Sequence, residues 1–152
     1  GQRVPLAEFG SLLLDVIPQQ GVVGEALDLV QVLLGLALRF LRAAHAYATA
    51  EYAESKRLFD DLERRAPQSF RPQLGRDHEW LTQALRDRRG RVAKSFGSYF
   101  LITPELGPDG LYAPERASDA EIWETLGVRS AVRFDIQFGR RGPLARDVRP
   151  VR

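Results

Sequence analysis

The chain contains no cysteine and no methionine. The first absence excludes disulfides, thiol catalysis and zinc sites built on thiolates. Histidine is scarce as well, with only His45 and His78. His78-Glu79 is not followed by a second histidine, so the helical zinc-protease pattern is missing. Both histidines are read as packed or solvated side chains, and no metal or cofactor is expected. Serine nucleophile elbows, phosphate-binding loops and dinucleotide fingerprints are also missing. Gly107-Pro108-Asp109-Gly110 is a turn, because no Lys-Ser/Thr follows it and no helix begins there. A long hydrophobic run is lacking too. The most apolar window, Ala26–Leu41, carries Asp28, Gln31 and Arg39 and is shorter than the about 20 residues of a spanning helix. A buried helix is expected there. The start, GQRVPL, lacks the hydroxyl residue of a myristoylation signal and shows no charged-then-apolar leader.

What remains is an ordinary globular composition, 44% hydrophobic and 28% charged, with a net charge of +2. Its 152 residues suit one domain. The total charge is too small to imply a nucleic-acid partner. Its distribution is more informative: arginine concentrates in Arg86–Arg91 and from Arg140 to the end.

Val4–Ile17 predicts a short helix, opened by Pro5 and stopped by Pro18. A single long helix is expected over Val22–Ala66, apolar all round at first and one-sided later. Ala43, Ala46, Ala50 and Ala53 recur along one stripe, where another backbone can come close. Asp60, Asp61 and Glu63 stand among Arg57, Arg64 and Arg65 as a solvated, salt-bridged face. Asp77 caps a further helix running to about Ser95, antiparallel to the one that ends before Pro67. Ser98–Thr103 has the aromatic and β-branched content of a strand. Ser118-Asp119-Ala120-Glu121 has the form of a capping box, and Gly127 closes the short helix after it. Val132–Phe138 alternates strictly and predicts a half-buried strand, paired with Ser98–Thr103. From Gly139 onward the chain reads as an extended basic tail.

Ala50–Pro67 resembles the second helix of a tetratricopeptide repeat, with Tyr52, Phe59 and Pro67 in fitting places. Ser55 and Ala50 depart from that pattern, and the period of about 34 residues that such repeats require does not recur. No repeat fold is therefore assigned.

The expected fold is mainly α. A long central helix stands in an antiparallel helical hairpin with a short N-terminal helix, and a small strand-helix-strand appendage and a basic tail follow. Residues 1–96 form the helical part, 97–138 the appendage packed on it in the same domain, and 139–152 the tail. The expected function is a non-enzymatic structural subunit of a larger multiprotein assembly. Such a helical accessory subunit fits an organellar (mitochondrial) membrane complex, including a processed start at Gly1. Its partners are other protein subunits, with contact to membrane or anionic lipid as a further expectation. The interface residues are Leu33, Leu36 and Phe40 on the apolar helix, Phe134, Ile136 and Phe138 on the strand, and Arg140, Arg141, Arg146 and Arg149 on the tail. The alternative is a small binding domain for nucleic acid or anionic membrane, acting through Arg86–Lys94 and the tail. Phe96, Tyr99 and Phe100 follow that basic run as stacking candidates. Nucleic acid ranks behind protein partners.

Overall fold

The computed structural model describes residues 23–74 and 85–151. The helix expected over Val4–Ile17 lies outside them, as does the first part of the one expected from Asp77. The chain divides into two compact units. One comprises the chain up to Gln73 together with Gly139–Gly142, and the other comprises Leu74–Phe138 with Pro143–Arg152.

The described part of the first unit is a helical hairpin. Helix α1 spans Val23–Ala48 and α2 spans Tyr52–Arg65. The single helix expected from Val22 to Ala66 is thus broken at Thr49–Glu51. Ala50 adopts φ +65°, and two backbone bonds close the end of α1. The Glu51 amide donates to the Ala46 carbonyl at 2.8 Å, and the Ala50 amide to Tyr47 at 3.1 Å. This is a Schellman closure with alanine where glycine is usual. An L-residue in that conformation costs about 1 kcal/mol, and burial on the returning helix offsets it. Leu33, Leu36, Phe40, Leu58, Phe59 and Leu62 are all buried, and the Phe40 and Phe59 rings meet edge to face at 6.1 Å. The backbones approach where side chains are small: the Ser55 hydroxyl donates to the Ala43 carbonyl at 2.8 Å. Asp61 is buried on this seam and accepts from Arg39, and from Arg65 at 2.8 Å. Ala66 turns extended at ψ 138°, as the residue before a proline does.

The second unit is a closed five-stranded barrel. The strands are β1 (Arg88–Ser95), β2 (Tyr99–Pro104), β3 (Leu111–Pro114), β4 (Ala131–Gly139) and β5 (Gly142–Pro150). Their order around the barrel is β1-β2-β3-β5-β4, and β4 returns to pair with β1. β1 is antiparallel to both neighbours, β2 is antiparallel to β3, and β3 runs parallel to β5. Between β3 and β4 lie a 3-10 turn, Glu115–Ala117, and a short helix α3, Ala120–Thr125. Val92, Phe100, Ile102, Leu111, Ala113, Val132, Phe134, Ile136, Ala145 and Val148 are buried as the inward-facing set.

The mainly-α, helical reading is therefore overturned: the fold is mixed α/β, with a closed barrel as its second unit. Three local errors produced it. The end of the helix expected from Asp77 is β1, whose inward positions are only Gly90 and Val92. So small an apolar face left the arginines looking helical. The expected tail is β5. Its buried positions, Gly142, Ala145 and Val148, recur every three residues, with Asp147 at φ +50° between the last two, which hides the strand's period of two. Finally, β4 does not pair with β2, since β1 lies between them. The expected capping box is also not made. Asp119 occupies the cap position without a side-chain bond, and the Ser118 hydroxyl instead donates to the Val148 carbonyl on β5.

Gly90 is required by closeness, not by backbone angle. A Cβ there would lie 2.6 Å from the Thr103 carbonyl oxygen and 2.9 Å from the Pro104 Cα. Gly90→Ala is expected to destabilise the chain by about 1–3 kcal/mol through overpacking against backbone that cannot rotate away. Urea unfolding compared with the wild-type chain measures it.

Candidate nucleic-acid interface

The outer surface of β1, β2 and β3 brings exposed aromatic rings and basic side chains onto one face. Strand alternation builds it. With Gly90 and Val92 inside, Arg89 and Arg91 point outward. The register of β1 against β2 shifts between Val92 and Lys94, so Lys94 also comes to the outer face, opposite Leu101. Leu101 in turn lies opposite Tyr112 of β3. The connection between β1 and β2 has two central residues, Gly97 and Ser98. Gly97 sits at φ +82°, the geometry that glycine supplies in a tight hairpin turn. That turn sets Phe96 across from Tyr99, and the Phe96 amide donates to the Tyr99 carbonyl at 3.0 Å.

The result is a row of three rings. Phe96 and Tyr99 are stacked, with centroids 4.7 Å apart and planes at 14°. Tyr99 and Tyr112 are 5.2 Å apart and tilted by 40°. The rings at the ends of the row are open to solvent: Phe96 is 51% exposed and Tyr112 42%. Lys94, Arg91 and Arg89 share this outer face and lead away from the rings along β1, with Lys94 nearest and Arg89 at the far end, next to Glu105. Arg91 donates to the Arg129 carbonyl at 3.2 Å, while Arg89 and Lys94 have no carboxylate partner among the described residues. Glu105, whose amide donates to the Arg89 carbonyl, and Glu115, whose amide donates to the Ser98 carbonyl, bound the surface at its two ends.

The ten residues expected at a protein interface lie elsewhere. Leu33, Leu36 and Phe40 are buried in the helical unit, and Phe134, Ile136 and Phe138 on the inner side of β4. Arg140 closes the carboxyl end of α2: it donates to the carbonyls of Ala66 at 2.6 Å, Phe70 at 3.1 Å and Pro67, with Glu63 at 3.4 Å. Arg141 is almost wholly exposed, 3.9 Å from Glu63. Arg146 donates to the Gln137 side chain. Arg149 joins a network in which its guanidinium meets Asp87 at 3.0 Å and Asp135 at 3.8 Å. Arg133 grips the same Asp87 carboxylate with two donors, one at 2.5 Å.

Phe96 and Tyr99 are the stacking candidates that the sequence places beside the basic run. Tyr112 was missed, because its strand is four residues long and sits in a stretch dense in turn residues. Phe100, a third such candidate, is buried on the inner side of β2. Among the described residues, no three His, Asp or Glu side chains converge on a site that could hold a metal. No helix among them is long and apolar enough to cross a membrane. No protein-family model matches the chain, and no curated protein matches it.

The Asp87 network gives the barrel a pH dependence. The hydrogen bond from Arg133 holds the Asp87 carboxyl below its usual range, with the Arg133 and Arg149 charges adding to it and partial desolvation opposing it. Near pH 4 the folded chain therefore binds fewer protons at Asp87 than the unfolded chain does. The stabilisation is present at neutral pH and fades as pH falls through the folded value. Asp87→Asn is expected to lower the urea midpoint at pH 7, and its gap from the wild-type chain is expected to narrow at pH 3.

Proposed function

We propose that the barrel binds single-stranded nucleic acid across the outer face of β1, β2 and β3. The observation that carries the reading is the open ring row Phe96–Tyr99–Tyr112 on the same outer face as Lys94, Arg91 and Arg89, which lead away from it along β1. Aromatic faces take bases in stacking without regard to sequence, and a neighbouring line of cations follows the phosphates. Phosphate alone would need only the charges, and an apolar protein partner would need only the rings. The two together on one face fit a polymer that presents flat apolar bases and anionic linkers in alternation. A duplex keeps its bases stacked inside, so the rings favour a single strand.

The topology supports the same reading. A five-stranded barrel ordered β1-β2-β3-β5-β4, with β3 and β5 parallel and a helix between β3 and β4, is the architecture of OB-folds. Its strand 2–3 surface is a common nucleic-acid platform. Architecture alone does not fix function, so the weight rests on the side chains. No reaction is assigned to this face.

A second reading has one observation of its own. Leu27, Val32 and Leu38 on α1 are each about half exposed or more, which favours contact with another protein and a place in a larger assembly. Native mass and co-purifying chains test it: a lone monomer that stays soluble at high concentration would remove it.

Fluorescence anisotropy with labelled oligothymidylate, oligouridylate and a random duplex tests the first reading. Both single strands are expected to bind more tightly than the duplex. Tyr99→Ala is expected to weaken single-strand binding by about 5- to 100-fold, the usual cost of losing one stacking ring. Lys94→Ala is expected to flatten the dependence of log K on log salt by about 0.7, one phosphate contact on a single strand. Equal affinity for duplex and single strand, or retention of full affinity by Tyr99→Ala, would remove the reading. Binding to anionic vesicles but to no oligonucleotide would replace the partner with a lipid surface.

A further inference from the structure

The ring row depends on a two-residue turn, and that turn is held from beneath. Trp123 of α3 is buried, and its indole lies flat on Phe100, with centroids 4.0 Å apart and planes at 15°. Phe100 is the inward neighbour of Tyr99 on β2. From that position the indole Nε1–H donates to the Gly97 carbonyl at 3.2 Å. Gly97 is the first central residue of the turn between Phe96 and Tyr99. The second central residue is held as well: the Ser98 carbonyl accepts from the Glu115 amide at 2.9 Å. Both carbonyls at the tip of the hairpin are therefore committed to the segment between β3 and β4. A solvent-facing hairpin of this length needs neither bond to exist.

We propose that Trp123 is a positioning residue for the nucleic-acid face: it locks the Gly97–Ser98 turn and so presents the Phe96 ring, already stacked on Tyr99, to the incoming base. The proposal rests on the binding reading above and assigns α3 a role within it. The physical reason is entropic. A half-exposed ring on a free hairpin tip must be ordered when it binds, at a cost in side-chain and backbone entropy. A turn anchored in the folded chain has met that cost beforehand. The stacked pair then offers one rigid surface in place of two mobile rings.

Trp123→Phe tests the proposal, because it keeps an aromatic ring over Phe100 and removes the N–H donor, while the exchange rates of Val92 and Ile102 report whether the smaller ring loosens the core. Two readouts are taken. In the free chain, exchange of the Phe96 amide hydrogen is expected to quicken severalfold, while those of Val92 and Ile102 keep their rates. Affinity for labelled oligothymidylate is expected to fall about three- to tenfold, the range of one net hydrogen bond. The loss is expected to vanish in a Phe96→Ala background, because a residue that acts through Phe96 has nothing left to position. Unchanged exchange at Phe96 overturns the proposal. So does a loss of affinity that simply adds to that of Phe96→Ala, or a general rise in exchange that includes Val92 and Ile102. A wild-type chain that binds no oligonucleotide, together with faster Phe96 exchange in the variant, would retire the binding reading and leave Trp123 as the anchor of the turn.

Discussion

Everything on the candidate face depends on β1 being sandwiched between β2 and β4. That position is possible because Gly90 has no side chain where the β2 backbone passes. With β1 in place the barrel closes, and no strand edge is left in the sheet order. Closure also sets direction. Once Gly90 and Val92 are inside, Arg89 and Arg91 have only the outer face available. The shift in register after Val92 brings Lys94 to that face as well. A basic strand beside an aromatic one is thus a consequence of how the barrel is shut.

The arginines divide into two populations, and the division carries the functional argument. Arg133, Arg140 and Arg149 are used inside the fold. They close a helix end or hold the Asp87 network together. Exposed pairs of this kind add modest stability, and salt weakens them. Arg89 and Lys94 have no such partner and stand on the same outer face as rings that are half open to water. Charge that the fold does not neutralise, placed beside apolar surface that it does not cover, favours a ligand with both properties.

The helical unit solves a different problem by the same rule. The window Ala26–Leu41 is apolar on more than one side, and the chain covers one of them by turning back at Ala50. Alanines at the seam let the helices approach closely enough for Ser55 to bond to the Ala43 carbonyl. The turn places an unfavourable conformation on one residue, and the buried seam of Phe40, Leu58, Phe59 and Leu62 outweighs it. What the helix leaves open is Leu27 and Leu38 on one face and Val32 on another.

Some of this was determined by the sequence alone. The alternation Val132–Phe138 has period two over seven residues, and it is a strand because only a strand buries that pattern. The aromatic run at Ser98–Thr103, the turn residues after it and the short helix ending before Gly127 are local in the same sense. Pro67 ends α2 whatever lies nearby. Tertiary structure decided the rest. Arg88–Ser95 has too few apolar residues to show a period, and it becomes a strand only because two neighbours supply its hydrogen bonds. Gly142–Pro150 buries every third residue around the bend at Asp147, so its partners define it and its pattern does not. The break at Ala50 has no local signal, since alanine favours helix, and it exists because the returning helix fits. The ring row joins Phe96 and Tyr99 to Tyr112, thirteen residues further along the chain than Tyr99. Only strand pairing brings side chains that far apart onto one surface.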